Sequence, residues 1–394
     1  ILHRLVGSEM CIRDRSNLLG GKGANLAEMS KLGIQVPPGF TITTEACNYF
    51  SKNKKLPDGL KEEIINYVSN LESLSQKSFG NSESPLLLSV RSGGMISMPG
   101  MMDSILNIGL NDDNVQSLAK AFNDERFALD SYRRLIQMYS NVVLGVEMDR
   151  FEAVIANKKR MDNVTSDADF NVDQLEWIIN AYKNTVERFT NSPFPQDPHE
   201  QLLGAIEAVF SSWQNKRAIT YRKINNIPDS LGTGATIQTM VFGNLNDKSG
   251  TGVAFTRNPS NGSKELYGEY LINAQGEDVV AGIRTPHPIK NDDSVEQESL
   301  ESKFPNAYKE IKEITSKLEK HFKEVQDLES TIENEKVYLL QTRKAKRTAQ
   351  ASIKIAIDLH NEGITTKEES LIMVDANSIT NVLHPQFIQS QEKA

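Results

Sequence analysis

The amino-acid sequence predicts an α+β protein, and three observations support that prediction. The chain has 394 residues, which at about 100 to 200 residues per domain corresponds to two or three structural units. Residues 113–225 place apolar and charged side chains at the helical period of about 3.6 residues. From Ala235 onward the period switches to two, as in strands. We therefore expect a mixed first unit, a helical insert and a sheet-rich second unit.

Composition limits the classes of function. The chain is 38% hydrophobic and 24% charged, with a formal net charge of -8, as is typical of a globular protein. No apolar run approaches the roughly 18 residues of a membrane span, and the acidic balance argues against nucleic acid or an anionic membrane as the main partner. Cys11 and Cys47 are the only cysteines in the sequence. A disulfide framework is therefore excluded, and a cytoplasmic location is expected.

Residues 1–15 are expected to be foreign to the fold. They show neither strand alternation nor the apolar core of a signal peptide, and residues 6–15 resemble the in-frame translation of a sequencing adaptor. A genuine N-terminal arm is the alternative. In both cases we expect the native first strand to be missing.

The first unit, residues 16–112, is predicted to combine helices and strands. A glycine-rich loop at 17–23 leads into a helix that Gly33 ends. The remaining predicted elements are a strand at 40–43, a helix that Thr44 caps, a helix at 60–74, a buried strand at 86–91 broken by 92–94, and a loop at 95–102.

The rest of the chain is predicted to be helical and then sheet-rich. The helical insert, 113–225, has a proline-rich break at 192–198. In the second unit, 226–345, we expect strands at 236–242, 253–256 and 266–272, a glycine-rich turn at 249–252, a long helix with an apolar face from Tyr308 to Val325, and a hairpin of 327–332 with 337–343. Residues 346–394 are expected to be a helical linker that begins with a helix at 349–360.

Lys22 is the first candidate for phosphate binding. Gly20-Gly21-Lys22-Gly23 at a helix start offers free backbone N–H groups, a positive helix end and an ammonium group. The segment is not a Walker A loop, because no Ser or Thr follows Lys22. A glycine turn with a solvated lysine is the alternative, and in isolation it is favoured.

Arg91 is the second candidate. It ends an apolar strand beside Ser92-Gly93-Gly94, where the backbone can approach a ligand closely. An arginine that neutralises a carboxylate at a strand end explains the residue equally well. The glycine-rich turn at 249–252 could likewise fold over phosphates or only reverse the chain.

Four polar residues mark the predicted hairpin. Asp327 and Glu329 are two apart on one strand, so both side chains leave the same face about 7 Å apart. Gln341 and Arg343 repeat that spacing on the next strand. Two carboxylates and an amide oxygen suit Mg²⁺, which usually arrives with phosphates. A solvated face with surface ion pairs is the alternative.

The turn decides whether these four residues can form one site. In an antiparallel pair, residues directly opposite each other share a face. An even turn sets Glu329 opposite Leu340 and splits the set. An odd turn, or a bulge with the same effect, pairs Glu329 with Gln341 and Asp327 with Arg343. We therefore predict an odd turn or a bulge.

Six motifs resemble the N-terminal ATP-binding region of the pyruvate, phosphate dikinase family. They are LLGGKGANLAEM at 18–29, SVRSG at 89–93, SMPGMMD at 97–103, GTGVAFTRNP at 250–259, YGEYLINAQGED at 267–278 and LQTR at 340–343. The resemblance runs from Ser16 to the C-terminus. The family implies an ATP-grasp fold of two subdomains, here with a helical insert. It also implies that the complete enzyme converts ATP, pyruvate and phosphate into AMP, phosphoenolpyruvate and diphosphate through a phosphohistidine on a separate domain.

The resemblance also implies a role for each candidate residue. Lys22 and Arg91 would bind the phosphates and Arg343 the phosphate in transfer, which makes these three catalytic. Asp327, Glu329 and Gln341 would hold Mg²⁺. The remaining nucleotide-binding residues would be Gln238, Thr239, Met240 and Val241 at the adenine, Gly250, Thr251 and Gly252 over the triphosphate, and Glu277.

The chain departs from the family pattern in two places. Met95 and Ile96 stand where many relatives carry a basic and a small residue, so no phosphate contact is assigned there. None of the six histidines lies in the Thr-x-His-Ala-Ala setting of the phosphocarrier. The resemblance therefore implies a fragment whose partners are ATP and the phosphohistidine domain of the full-length chain, with a homodimer as the complete enzyme.

Two rival functions remain. The similar N-terminal region of phosphoenolpyruvate synthase is the nearer one, but the methionine-rich loop at 97–103 favours the dikinase. A stand-alone nucleotide-binding module without chemistry is the rival from another class.

Overall fold

The computed structural model describes residues 2–4, 12–80, 84–282, 284–291, 298–376 and 379. The chain divides into two compact units, Ile1–Val241 and Phe242–Ala394. Each unit contains helices and a five-stranded sheet, which confirms the α+β class expected from the sequence. Within the described ranges, no helix has the length and apolar character needed to cross a membrane.

The sheet of the first unit is antiparallel throughout. Its strands are β1 (Leu2–Arg4), β2 (Gly39–Ile42), β3 (Leu88–Gly94), β4 (Ser104–Ile108) and β5 (Thr233–Thr239). Their order in the sheet is β1-β2-β5-β3-β4. We predicted β5 as part of the second unit, but β5 pairs with β2 and β3 and so occupies the centre of the first sheet.

Nine α-helices of the first unit lie within the described residues. They are α1 (Ile12–Lys31), α2 (Thr44–Asn53), α3 (Leu60–Ser75), α4 (Val115–Phe122), α5 (Glu125–Val142), α6 (Met148–Asp162), α7 (Val172–Thr190), α8 (Pro198–Ser212) and α9 (Lys216–Ile224). The predicted proline-rich break separates α7 from α8, and Pro198 is the first residue of α8, where a proline removes no helical hydrogen bond. The rings of Phe50 on α2 and Phe210 on α8 lie 5.9 Å apart, so α8 packs on α2.

The second unit has a sheet of the same size. Its strands are β6 (Gly250–Phe255), β7 (Tyr267–Ile272), β8 (His287–Pro288), β9 (Gln326–Glu333) and β10 (Lys336–Lys344). The order is β10-β9-β6-β7-β8, and each neighbouring pair is antiparallel. β9 therefore lies between β10 and β6, in the interior of the sheet.

Five helices of the second unit are described. They are α10 (Gly276–Ala281), α11 (Leu300–Lys303), α12 (Pro305–Phe322), α13 (Ala349–Asn361) and α14 (Lys367–Met373). The predicted apolar face of α12 buries Ile311, Ile314 and Leu318, whereas Val325 lies beyond the end of the helix. Val325 instead packs with Ala351 and Ile355 of α13. Residues 380–394 of the predicted linker lie outside the described residues.

Two segments of residues 1–15, which we expected to be foreign to the fold, form regular elements. Leu2–Arg4 forms β1 at the edge of the sheet, and α1 begins at Ile12. Arg15 forms a buried ion pair with Glu28 of the same helix, with side-chain exposures of 6% and 5%. In a straight helix these residues would lie about 20 Å apart, so the pair requires a bend in α1. Cys11 lies outside the described residues.

Two further predictions about local structure were wrong. β3 does not break at Ser92 but continues through Gly94. Thr44 is the first helical residue of α2 and the cap position falls on Thr43, which makes no side-chain cap. The Thr44 hydroxyl instead donates to the carbonyl oxygen of Asn17 at 2.8 Å.

The glycines at 250 and 252 belong to a strand rather than to the predicted turn. Gly250, Thr251 and Gly252 are the first three residues of β6, and the turn lies earlier, within 243–248. A Cβ at Gly250 would lie 2.7 Å from the carbonyl oxygen of Leu271, and one at Gly252 would lie 2.8 Å from that of Glu269. Glycine is required here because the backbone of β7 approaches β6 closely.

Candidate functional site

Lys22 lies on α1 directly after a break in that helix. The segment predicted as a loop, 17–23, is helical except at Gly20, where φ is 71° and ψ is 166°. A Cβ atom at Gly20 would lie 1.7 Å from the carbonyl oxygen of Gly93, so only glycine allows this approach of α1 to β3. A new helical run begins after Gly20, and its first N–H groups have no partner within that run.

The structure brings Lys22 to the strand that carries Arg91. The Cβ of Lys22 is 2.9 Å from the position that a Cβ would take on Gly93. Gly93 and Arg91 are two apart on β3 and therefore share a face. Arg91 is not at the strand end, as predicted, but within β3, opposite Thr236 of β5 and Ser104 of β4. Lys22 on α1 thus packs against the face of β3 that carries Arg91.

Hydroxyl groups that the sequence pattern did not reveal extend this face. Thr236 is opposite Arg91, and Thr41 of β2 is opposite Thr236. Their hydroxyl oxygens lie 3.1 Å apart. A Cβ at Gly23 would lie 2.8 Å from the Thr41 hydroxyl oxygen, so α1 covers this end of the face. Only the pairing of β2, β5 and β3 reveals the row, because these strands are distant in the sequence.

The predicted adenine segment, 238–241, spans the end of β5 and the residues that follow it. Gln238 is opposite Ser89, so its side chain is on the same face as Arg91. Its Nε2 donates to the carbonyl oxygen of Pro37 at 3.2 Å, whereas its Oε1 is buried and has no hydrogen-bond partner among the described residues. A buried acceptor without a partner is costly, so this oxygen would gain from a ligand that donates.

The backbone fixes the next two residues of that segment. The N–H groups of Thr239 and Met240 donate to the carbonyl oxygens of Pro38 and Leu87, each at 2.9 Å. Val241 is the last residue of the first unit. These backbone hydrogen bonds hold Thr239 and Met240 beside Gln238 without using the side chains of Thr239 and Met240.

The methionine-rich loop is fastened to α9. The Nε of Arg217 donates to the carbonyl oxygen of Met101 at 3.1 Å, and its guanidinium forms an ion pair with Asp103. Asn215 also donates to Asp103, at 3.1 Å. Ile96 of this loop is exposed.

The hairpin of β9 and β10 contains a bulge that restores the predicted pairing. Its turn is Asn334-Glu335, and Lys336 lies opposite Glu333, so the turn is even and the odd-turn prediction was wrong. The register then shifts at the bulged residue Leu340, between Leu339 and Gln341. After the bulge, Gln341 lies opposite Glu329 and Arg343 lies opposite Asp327. The alternative that we predicted, a bulge with the same effect, is confirmed.

The paired residues contact each other through their side chains. Nε of Arg343 donates to Oδ2 of Asp327 at 2.7 Å, and Nε2 of Gln341 donates to Oε1 of Glu329 at 2.6 Å. Asp327 and Gln341 are buried, with 8% and 9% of their surface exposed. All four residues therefore lie together on one face of the sheet in the second unit.

The burial of Asp327 and the negative charge of Glu329 beside it both favour a bound cation on this face. Burial raises the pKa of Asp327 above its ordinary value, Arg343 opposes that shift, and the negative charge of Glu329 reinforces it. The ionised carboxylate is thus incompletely compensated by Arg343. A bound cation would relieve both the burial of the charge and the repulsion between the two carboxylates.

The oxygen atoms of this face fit Mg²⁺ together with a phosphate ligand. Asp327 and Glu329 supply carboxylates and Gln341 an amide oxygen, and these are the oxygen donors that Mg²⁺ prefers. Within the part of the chain that the structure describes, no group of three or more His, Cys, Asp or Glu residues could hold a metal ion. Asp327, Glu329 and Gln341 together would leave coordination positions for phosphate oxygens and water, as is usual for Mg²⁺.

Glu277 follows Gly276, which lies near the start of β6, and the acidic pair lies opposite the second half of that strand. It is in the first turn of α10, whose Gly276 approaches Thr251, while Asp327 is opposite Phe255 and Glu329 is opposite Val253. Thr251 and Phe255 are separated by about 13 Å along the strand. Gly276 thus lies beside Thr251, two residues along β6 from Val253, the residue opposite Glu329.

The chain belongs to the family described as "Pyruvate phosphate dikinase, AMP/ATP-binding domain". The family model matches residues 16–79, 52–304 and 289–363, which is most of the chain. The matched residues include the glycine-rich segment with Lys22, the strand with Arg91 and the complete hairpin.

Curated relatives narrow the likeness to particular enzymes. The chain is 51% identical over 378 residues to the pyruvate, phosphate dikinase of Rhizobium meliloti (strain 1021), an alignment that covers 95% of this chain and 42% of the relative. It is 52% identical over 380 residues to the pyruvate, phosphate dikinase of Clostridium symbiosum, covering 96% and 43%. The chloroplastic enzyme of Mesembryanthemum crystallinum is 49% identical over 372 residues, covering 94% and 38%. The chain thus spans about two-fifths of the length of these relatives.

Proposed function

We propose that this chain is the ATP-binding and phosphoryl-donating part of a pyruvate, phosphate dikinase. The observation that supports the proposal most strongly is the shared face of Asp327, Glu329, Gln341 and Arg343, formed through the bulge in a member of the AMP/ATP-binding domain family. Carboxylates beside an arginine suit a metal ion and the phosphate that it accompanies. We further propose that the two units are the subdomains of an ATP-grasp fold.

In this proposal Lys22 and Arg91 bind the outer phosphates of ATP. Arg91 is on one face of β3 and Lys22 of α1 packs against that face, and Arg can form paired hydrogen bonds to phosphate oxygens. The N–H groups that follow Gly20 add further donors at a positive helix end. The buried Oε1 of Gln238 accepts a hydrogen bond from the adenine amino group, and Thr239, Met240 and Val241 complete the wall of that pocket.

Asp327, Glu329 and Gln341 would hold Mg²⁺, which would neutralise negative charge on the phosphate oxygens. Arg343 binds the phosphate in transfer and stabilises the charge that develops on it, because a guanidinium fixed in place requires little rearrangement during the reaction. Its hydrogen bond to Asp327 holds it there. Gly250, Thr251 and Gly252 are strand residues, so we propose that they border the nucleotide and do not fold over it, with Glu277 at the start of α10 beside them.

The complete enzyme needs more than this chain. We propose that the phosphoryl group passes to a histidine on a separate domain of the full-length protein, which then makes phosphoenolpyruvate, and that the complete enzyme is a cytoplasmic homodimer. The relatives' names favour the dikinase over phosphoenolpyruvate synthase. None of the six histidines of this sequence lies in the phosphocarrier setting of the family.

The proposal is tested by incubating the purified chain with ATP, Mg²⁺, phosphate and pyruvate. We expect saturable ATP binding by calorimetry and no pyruvate-dependent formation of AMP or phosphoenolpyruvate. Pyruvate-dependent AMP formation by this chain alone would contradict the division of labour. Failure to bind ATP by a folded sample would contradict the proposed function.

A further inference from the structure

Arg257 is a fully buried cation that the proposed function does not use. It lies in the motif at 250–259, two residues after the end of β6, and is 0% exposed. Its Nε lies 3.1 Å from both carboxylate oxygens of Glu319 on α12, and its Nη2 lies 2.6 Å from Oε1 of Glu319. The same Nη2 donates to Oε2 of Glu362 at 2.9 Å. One guanidinium thus joins two carboxylates from different parts of the second unit.

This ion cluster fastens α12 and α13 to the end of β6. Glu319 lies on α12, which precedes the hairpin, and Glu362 directly follows α13, which comes after it. At the other end of α13, the hydroxyl of Thr348 donates to the carbonyl oxygen of Ser260 at 2.7 Å. The loop after β6 therefore holds α13 at both ends.

A chain of hydrogen bonds leads from the cluster to the back of the hairpin. The hydroxyl of Thr256 donates to Oε2 of Glu319 at 2.9 Å and accepts from the N–H of Gln326 at 3.1 Å. Oε1 of Gln326 accepts from the hydroxyl of Thr342 at 2.9 Å. Gln326 directly precedes Asp327, and Thr342 lies between Gln341 and Arg343.

The alternation of strands places this network behind the metal-binding face. Gln326 and Thr342 point to the face opposite that of Asp327 and Arg343. Each of them is adjacent in sequence to a residue of the candidate site. A shift of either back-face residue therefore moves its neighbour on the front face. Metal affinity is sensitive to such displacements, because ligands must be held in a fixed geometry.

We infer that Arg257 is a positioning residue for the Mg²⁺ site, acting through Glu319, Thr256 and Gln326 on Asp327. The inference rests on the proposed function, since it takes the metal to be bound at Asp327 and Glu329. The role requires arginine, because its planar fork can contact Glu319 and Glu362 together, whereas lysine presents a single ammonium.

The test compares two variants. One removes a buried cation and a buried carboxylate together, and the other keeps the buried cation. Arg257→Met combined with Glu319→Gln removes both charges of the inner pair, and such neutral replacements are often tolerated in cores. Arg257→Lys keeps the cation but loses the fork. Arg133→Met with Asp130→Asn is the matched control in the first unit, because that pair has side-chain exposures of 3% and 8% against 0% and 8% for Arg257 and Glu319.

Mg²⁺ affinity is measured calorimetrically in the presence of ATP, and AMP affinity without metal is measured in parallel with the thermal midpoint. We expect both Arg257 variants to bind Mg²⁺ about tenfold or more weakly, with AMP affinity unchanged and with the control at wild-type Mg²⁺ affinity. Wild-type Mg²⁺ affinity in a folded Arg257 variant, or an equal loss in the control, overturns the positioning role. If the double variant does not fold, Arg257→Lys decides alone. If the wild-type protein itself shows no Mg²⁺ dependence, the proposed function fails and this inference fails with it.

Discussion

Arg343 and Asp327 form a 2.7 Å hydrogen bond across β9 and β10 because Leu340 is bulged out of the ladder between them and the turn. Without the bulge, the even turn at Asn334-Glu335 would set Asp327 opposite Thr342 and direct Arg343 to the other face. Bulges commonly redirect a side chain near an active site. The bulge at Leu340 thus gathers two cross-strand pairs on one surface.

The two cations of the first unit should distinguish ATP from AMP. Lys22→Ala and Arg91→Ala are each expected to weaken ATP binding by about 1.5 to 3 kcal/mol, the range for a hydrogen bond to a charged group. AMP should be affected less, because it lacks the outer phosphates. Calorimetric titration with both nucleotides measures the difference, and Lys31→Ala, an exposed lysine on the same helix, is the control. An equal loss for ATP and AMP would indicate damage to the fold instead.

Neutralising Asp327 should separate metal binding from stability. Asp327→Asn is expected to weaken Mg²⁺ binding by about 10- to 100-fold or more, a loss seen even for residues that only orient metal ligands. The metal-free variant should unfold at the same or a higher temperature, because burial and the charge of Glu329 disfavour the ionised carboxylate. Asp247→Asn, at an exposed position of the same unit, should change neither quantity. A lower thermal midpoint with unchanged Mg²⁺ affinity would refute the assignment of Asp327.

The pKa of Asp327 also predicts how Mg²⁺ binding depends on pH. A proton competes with the cation for this carboxylate, and the folded-state pKa lies above the ordinary value of 3.8. Binding should therefore weaken, as pH falls, at a higher pH than for an ordinary aspartate. The stability of the metal-free protein depends on pH in the opposite direction. The stabilising contribution of protonated Asp327 is present at low pH and is lost as pH rises through the folded-state pKa. Mg²⁺ titrations over a pH series should show a smaller dependence in Asp327→Asn, and superimposable profiles would contradict this explanation.

Arg15 provides a test of the N-terminal segment. Arg15→Ala removes the buried ion pair with Glu28, and loss of one member of a buried ion pair typically costs about 3 to 5 kcal/mol of unfolding free energy. Denaturant unfolding measures the loss. Arg150→Ala removes an exposed pair with Glu147, with side-chain exposures of 51% and 74%, and should have little effect. If Arg15→Ala is as mild as Arg150→Ala, residues 12–15 do not contribute to the fold as described.

The sequence predicted most of the hairpin but could not locate its bulge. Alternation in 327–332 and 337–343 identified two strands and put Asp327 with Glu329 on one face, as the structure shows. The bulge lies in β10, and strand alternation carries no information about which residue leaves the ladder. The chemistry expected of the four residues was therefore what required either an odd turn or a bulge.

The structural roles of the glycines were the hardest to predict from the sequence. At 250 and 252 it was interpreted as a turn signal, yet it serves the close approach of β7 to β6. At Gly20 it was interpreted as part of a loop, yet it breaks a helix so that Lys22 can lie against Gly93. Both roles depend on a distant partner strand.

A short edge strand such as β1 escapes prediction because three residues are too few to reveal an alternation.

The central claim, that the hairpin of β9 and β10 binds a divalent cation together with ATP, is tested most directly by electron paramagnetic resonance with Mn²⁺ in place of Mg²⁺. The spectrum distinguishes free from bound Mn²⁺, so affinity can be measured with and without ATP. We predict that the wild-type protein with ATP binds Mn²⁺ more tightly than either component alone, and that Asp327→Asn combined with Glu329→Gln abolishes the gain. Equal Mn²⁺ binding by the wild-type protein and this double variant in the presence of ATP would contradict the claim.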